Sequence, residues 1–356
     1  LRAFFFPQIV QLLLQTTEAR SGDYGCFLWF WWSVASHCQS LTHGCAPFAI
    51  ISQVCLTCCL DTIRASQGAT CLETMLAASI NQIQIRKASG SLGAFVTGVS
   101  LKDIATSDAV YRAVRELLVQ HEVLFFRDQE QIPSVFAAFA QAFGEVLDHP
   151  AYATVAEAPD VQILESTPEN PSKIEVWHSD MTFMPRPPSF TLLQGQIIPP
   201  FGGDTLWASA TAAFDALSPQ MQAFLLPLQA VNDFRHGFRE SLAEPGGAER
   251  LAPAIAENPP MIHPLIRTHP ESGRKAIYVN ALFTTHIVGL PSKESEALLD
   301  FLYRHVAAEE RTVRLSWQPG TVAIWDNRST QHKPVNDFFP QHRLMHRVTL
   351  TGDQPA

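Results

Sequence analysis

The chain has 356 residues, 46% of them hydrophobic, enough to bury a full core in one large domain or two small ones. A formal charge of −9 argues against a nucleic-acid partner, since phosphate contacts need clustered Lys and Arg. No membrane segment is expected: the uncharged stretch from Tyr24 to Leu60 is broken by His37, Gln39, Ser40, His43 and Gly44, and no basic region precedes it.

Composition changes near Met75. All seven cysteines (Cys26, Cys38, Cys45, Cys55, Cys58, Cys59, Cys71) precede it, as do Trp29, Trp31 and Trp32, while lysine and methionine are absent there. Residues 1–74 can be read as a signal or anchor, as a disulfide or zinc module, or as upstream sequence outside the folded enzyme. The third reading is preferred, because Cys55, Cys58 and Cys59 lack a second cluster at paired spacing. The cysteine-free body, residues 75–356, fits a reducing cytoplasm.

Along the body, Ile83 to Leu101 reads as short strands punctuated by glycine. Ser107 to His121 has helical spacing, with Val110, Val114, Leu117 and Leu118 on one face, and Val123 to Phe126 follows as a buried strand. Ser134 to Phe143 is a second helix, with Gly144 placed for a left-handed cap. Strands are expected at Ser189 to Gln196, Thr205 to Ala208, Ala276 to Val279, Thr312 to Trp317, Thr321 to Trp325 and Arg343 to Leu350, and helices at Thr211 to Leu226 and Lys293 to His305. Ser241 to Pro260, rich in Ala, Glu, Gly and Pro, reads as a mobile insertion or lid. Strands at this density with helices outside them predict a mainly β sandwich or barrel with flanking helices.

Two groups of residues carry chemistry. In Trp177-His178-Ser179-Asp180, an extended backbone would turn His178 and Asp180 to one face. His332, in Trp325-Asp326-Asn327-Arg328-Ser329-Thr330-Gln331-His332 just past a strand end, is the candidate third ligand. Two imidazoles and one carboxylate leave positions open on iron(II), whereas structural zinc is usually closed, often by cysteine. Without that context, His178 reads as a turn-capping surface residue and His332 as a loop residue. In the strand Arg343-Leu344-Met345-His346-Arg347, Arg343 and Arg347 share a face and could clamp two anions; the alternative is a solvated outer face.

Residues 75–356 resemble the taurine dioxygenase branch of the Fe(II)/2-oxoglutarate-dependent dioxygenases, the taurine / 2,4-dichlorophenoxyacetate dioxygenase family. The resemblance rests on Val123-Leu124-Phe125-Phe126-Arg127-Asp128-Gln129, Trp177-His178-Ser179-Asp180, Gly202-Gly203-Asp204-Thr205, Arg267-Thr268-His269-Pro270, Trp325-Asp326-Asn327-Arg328 with Gln331-His332, and Met345-His346-Arg347. It implies a double-stranded β-helix (jelly roll, cupin-like), with Fe(II) on His178, Asp180 and His332, and with 2-oxoglutarate and O2 as cosubstrates. It further implies Thr205 and Arg343 on the distal carboxylate of 2-oxoglutarate, and Arg347, His149 and Tyr152 around a substrate sulfonate. Phe234 and Phe283 would be apolar walls; on their own, these phenylalanines read as ordinary core and Thr205 as an ordinary strand residue.

The implied reaction hydroxylates the carbon next to sulfur in taurine or a related alkylsulfonate, releasing sulfite and an aldehyde. Alkyl sulfate esters and aryloxyacetate-type carboxylates are alternative substrates, and a non-enzymatic cupin-like binding protein is the remaining alternative. Ile174 departs from the family pattern, standing where an asparagine is expected near the amino end of taurine. An apolar group there leaves an ammonium poorly solvated, unless Glu175 turns inward. The resemblance implies a small anionic substrate, a sulfonate or sulfate ester, as partner, and a homo-oligomer is compatible with the sequence.

Overall fold

The computed structural model describes residues 82–147 and 152–356; the expectations for residues 1–74 and for His149 lie outside the described residues. Sixteen strands are found among the described residues: β1 Gln84–Lys87, β2 Ala94–Thr97, β3 Val123–Phe126, β4 Thr154–Val155, β5 Ala158–Ser166, β6 Phe190–Ile197, β7 Thr205–Ser209, β8 Gln229–Asn232, β9 Met261–Pro264, β10 Ile266–Thr268, β11 Lys275–Ile277, β12 Thr284–Ile287, β13 Thr312–Leu315, β14 Val322–Asp326, β15 Thr330–Pro334 and β16 Arg343–Thr349. Eight form one sheet in the order β1-β2-β3-β14-β6-β16-β5-β4, and β13-β7-β15 form a second of three strands. Only β2 and β3 pair in parallel within the large sheet.

Side-chain alternation decides what each face of the large sheet meets. Leu124 and Phe126 of β3, Val322 and Ile324 of β14, and Phe190 and Leu192 of β6 pack with the helices Leu101–Thr106, Asp108–His121 and Pro133–Phe143. The opposite parity (Val123, Phe125, Ala323, Trp325, Leu193 and Met345) packs with Trp207 of β7 and Val313 and Leu315 of β13. The second core therefore lies between the two sheets, where Trp207 meets Phe125 and Trp325 at ring-centroid distances of 5.3 and 5.6 Å. The molecule is mainly β sheet with helices outside it, as expected.

Several local expectations are corrected. The helix expected over Thr211 to Leu226 is two, Ala210–Asp215 and Pro219–Leu225, because Ser218 accepts from the Met221 N–H as N-cap and Pro219 starts a new helix. The Ser241 to Pro260 stretch, read as a mobile insertion or lid, is largely helical, with Arg239–Ala243 and Gly247–Glu257. Gly144 ends its helix at φ 159°, outside the left-handed region expected of the cap, whereas Glu122 takes a left-handed cap at φ 65°.

Candidate metal centre and anion sites

His332 lies within β15, opposite Trp207 of β7, and not beyond a strand end as expected. Its backbone exchanges hydrogen bonds with His178: the His178 N–H donates to the His332 carbonyl at 3.0 Å, and the reverse bond is 2.7 Å. His178 and Asp180 are thus not on one continuous strand. A single bridge residue is followed by a turn in which Met181 takes φ 49°, and this brings the carboxylate back beside the imidazole. Asp180 Oδ1 lies 3.7 Å from His178 Nε2 and 3.8 Å from His332 Nε2. One donor atom from each of the three buried residues falls within 4.8 Å of the others.

The surroundings fix these groups. His178 Nδ1 is 2.9 Å from the Val176 carbonyl, an N–H donor contact that leaves Nε2 with its lone pair for a metal. Thr191 of β6 donates its hydroxyl to Asp180 Oδ2 at 2.8 Å. Asn327 brackets the Asp180 backbone, accepting its N–H at 2.7 Å and donating to its carbonyl at 3.1 Å. Ser179 donates to the Thr330 carbonyl, and the Trp325 indole packs 4.8 Å from the His332 ring. Burial raises the Asp180 carboxyl, but His332, Arg347 and His178 and the Thr191 hydrogen bond outweigh this and hold it at about 2. Burial and the adjacent His178 bring His332 down to about 3, and burial lowers His178 as well. At neutral pH the site therefore presents one carboxylate and two unprotonated imidazoles, a donor set that fits an open iron(II) site and lacks the thiolates typical of structural zinc.

Both arginines of β16 face the inter-sheet space with Met345, and one-sided alternation places them as expected. Arg343 packs against Gly203, where an added Cβ would sit 3.3 Å from the Arg343 Cδ and Nε, and Gly203 itself is at φ 69°, which favours glycine. Arg343 Nε is buried without a hydrogen-bond partner. Burial lowers the guanidinium to about 10 despite the nearby Asp204, whose Oδ2 is taken by Arg314 Nε at 2.6 Å and by the Ser316 hydroxyl. Thr205, two residues on from Gly203, accepts the Trp317 indole N–H at 3.0 Å and keeps its own hydroxyl proton to donate.

Arg347 is 9% exposed, donates Nε–H to Gln162 at 3.1 Å, and lies over the Tyr152 ring at 4.9 Å. It is close enough to the triad to lower both histidines and Asp180 electrostatically. Phe234 and Phe283 meet Phe183 at 5.1 and 5.0 Å, in an apolar cluster that includes Met181, next to Asp180. Ile174 packs on the same cluster, while Glu175 is exposed and accepts from Asn336 at 3.3 Å. Alternation thus turns Glu175 outward. The supporting residues Thr191, Asn327 and Gln162 were not singled out from sequence; Asn327 stood within the Trp-Asp-Asn-Arg motif, but nothing marked Thr191 or Gln162.

A model of the family described as "Taurine catabolism dioxygenase TauD, TfdA family" matches residues 84–349. The chain is 35% identical over 286 residues to an alkylsulfatase of Acinetobacter baylyi, covering 79% of this chain and 89% of that protein. It is 33% identical over 292 residues to an alpha-ketoglutarate-dependent sulfonate dioxygenase of Saccharomyces cerevisiae, covering 78% and 69%. Among solved structures, a taurine dioxygenase from Burkholderia xenovorans is similar at a TM-score of 0.66 and 34% identity, covering 77% of this chain and 91% of that one.

Proposed function

We propose, from the premise that this chain belongs to the taurine catabolism dioxygenase TauD, TfdA family and is an Fe(II)- and 2-oxoglutarate-dependent oxidoreductase, that it hydroxylates the carbon next to sulfur in alkylsulfonates or the carbon next to the ester oxygen in alkyl sulfate esters. The observation that carries this reading is a buried Asp-His-His cluster with a separate buried arginine, Arg347, beside it. In this reading His178, Asp180 and His332 hold iron, Arg343 and Thr205 hold 2-oxoglutarate, and Arg347, Tyr152 and His149 receive the sulfur-oxyanion. The facing sheets are read as a double-stranded β-helix (jelly roll) within an enzyme domain of residues 75–356. Residues 1–74 are read as outside that domain. A cytoplasmic site of action rests on the cysteine-free body, and no helix of the described residues is long and apolar enough to cross a membrane.

Iron(II) with 2-oxoglutarate and O2 supplies the oxidative decarboxylation that yields succinate and CO2 and the hydroxylation of substrate. The protein's own part is placement. Arg347, held by Gln162 and stacked on Tyr152, anchors the anion so that one C–H bond faces the metal side. Phe183, Phe234 and Phe283 keep water from the carbon chain. The hydroxylated carbon then loses its sulfur substituent, giving an aldehyde with sulfite from a sulfonate or with sulfate from an ester. Sulfate esters and longer sulfonates are favoured over taurine by Ile174, since an ammonium in that apolar cluster would be unpaired.

The test is incubation of the full chain with Fe(II), ascorbate and 2-oxoglutarate, scoring sulfite from taurine and longer alkylsulfonates and sulfate from hexyl sulfate. Turnover of at least one sulfur-oxyanion, abolished in His178→Ala, is expected. Oxygen uptake only with aryloxyacetates, or no succinate with any anion, overturns the reading.

A further inference from the structure

The connection from β15 to β16 holds two segments that are distant in the chain. On one side it grips the loop from Gly202 to Thr205: the Val335 N–H donates to the Asp204 carbonyl at 2.9 Å, and the Gly203 N–H donates to Asp337 Oδ1 at 2.8 Å. The approach is close, since a Cβ on Gly202 would lie 2.5 Å from Asp337 Oδ1. Arg314 spans the same joint, with Nε 2.6 Å from Asp204 Oδ2 and Nη2 3.8 Å from Asp337 Oδ2. Phe338 is buried against Gly203, and the Arg343 guanidinium lies 6.0 Å from its ring. On the other side Asn336, adjacent to Asp337, grips the strap from Pro171 to Val176, which has no regular secondary structure. Asn336 Nδ2 lies 3.1 Å from the Ile174 carbonyl, 3.3 Å from the Ser172 carbonyl and 3.3 Å from Glu175 Oε1. That strap carries Ile174 and Val176 onto the phenylalanine cluster and runs directly into Trp177 and His178. Two neighbouring side chains thus tie the loop of Thr205 to the segment that leads into the metal triad.

We propose that Asn336 and Asp337 are positioning residues that transmit order between the loop bearing Thr205 and the strap from Pro171 to Val176, so that 2-oxoglutarate and the sulfur substrate help each other bind. The inference rests on the reading of Thr205 and Arg343 as the 2-oxoglutarate site. A ligand held by Thr205 and Arg343 fixes the loop, Asp337 fixes Asn336, and Asn336 fixes the strap carbonyls. A ligand that has already ordered a segment spares the second ligand that cost. Linkage makes the effect reciprocal and equal in both directions. The half-exposed Arg314–Asp337 pair adds little, so the link runs through the Gly203 N–H bond and the Asn336 amide.

The experiment uses the full chain with Mn(II) and with 2-oxoglutarate at a concentration that equilibrium dialysis shows to saturate each variant. Trypsin cleavage after Lys173, an exposed residue of the strap, is followed by mass spectrometry. In the parent, 2-oxoglutarate is expected to slow this cleavage at least about fivefold, the lower end of ordinary coupling between sites. The sulfur-oxyanion that the parent turns over fastest is expected to tighten 2-oxoglutarate binding by at least about the same factor in dialysis. Asn336→Asp keeps the shape but removes the amide donor, and Asp337→Ala removes the acceptor for Gly203. Each is expected to bind 2-oxoglutarate while both factors fall below about twofold. Asp337→Asn, which keeps an oxygen acceptor, is expected to retain both, as a loss of general stability would not. Both side chains are at least partly exposed, so the variants fold. Binding of 2-oxoglutarate by the parent without protection or tightening, or the parent's factors kept by Asn336→Asp and Asp337→Ala, overturns the coupling alone. Failure of the parent to bind 2-oxoglutarate, or to turn over any sulfur-oxyanion, overturns the underlying reading and the coupling with it.

Discussion

Asp180 is held by its backbone as much as by its side chain. The Asn327 carboxamide accepts the Asp180 N–H and donates to the Asp180 and Pro188 carbonyls, and Asn327 is itself fully buried. Removing that amide leaves the turn after His178 without its clamp, so Asn327→Ala is expected to weaken Fe(II) binding about 10- to 100-fold, measured by equilibrium dialysis on folded protein. In the proposed 2-oxoglutarate site, Arg343→Lys replaces a planar fork with a point charge. It is expected to raise the KM for 2-oxoglutarate at least about tenfold while the KM for the sulfur substrate moves less, in steady-state assays that vary each in turn. The meeting of His178, Asp180 and His332 was legible because residue type and motif mark them. Thr191 and Asn327 were not, because their effect depends on which backbone atoms the fold brings within reach.

At the end of β14, Asp326 is fully buried and accepts from the Arg328 backbone N–H, Nε and Nη2 and from His269 Nε2 at 2.7–2.9 Å, while Arg328 continues to Glu271. Burial would raise the Asp326 carboxyl, but these partners hold it far below the usual carboxylate range. Arg328→Met leaves a buried carboxylate short of its main cation and is expected to destabilise the fold by about 3–5 kcal/mol in urea unfolding. Where the helix Asp108–His121 meets β3, Glu122 behaves in the opposite sense. Burial pushes its carboxyl up to about 7, even though Thr211 and Arg274 bond it. The folded state then keeps a proton that the unfolded chain has lost between about pH 4.5 and 7, so this group's contribution is full below that window and declines as pH rises through it. Glu122→Gln is expected to flatten that slope, by up to about 1.4 kcal/mol per pH unit, in unfolding curves collected from pH 4.5 to 7.5. Sequence spacing located both elements, but not the left-handed Glu122 or the turn at Met181, since neither residue type signals such a conformation.

For the whole molecule, alternation along β3, β6, β14 and β16 sends one parity to the helices and the other to the inter-sheet space that holds Thr191, Arg343 and Arg347. That arrangement was legible from strand density and hydrophobic runs; strand order was not, because β14 pairs with β3 and β6 across long stretches of chain. Ligands that join sheet to sheet should stabilise the fold through mass action: Mn(II) with 2-oxoglutarate at 100 times their Kd is expected to add about 2.7 kcal/mol, seen as a higher Tm. Residues from the two sides of this space are expected to share one metal ion. Anaerobic equilibrium dialysis of Fe(II) in the presence of 2-oxoglutarate tests it most directly. The full chain is expected to retain one equivalent, and His332→Ala, folded as judged by circular dichroism, less than about a tenth of that at the same free iron concentration. Retention by His332→Ala equal to that of the parent would contradict it.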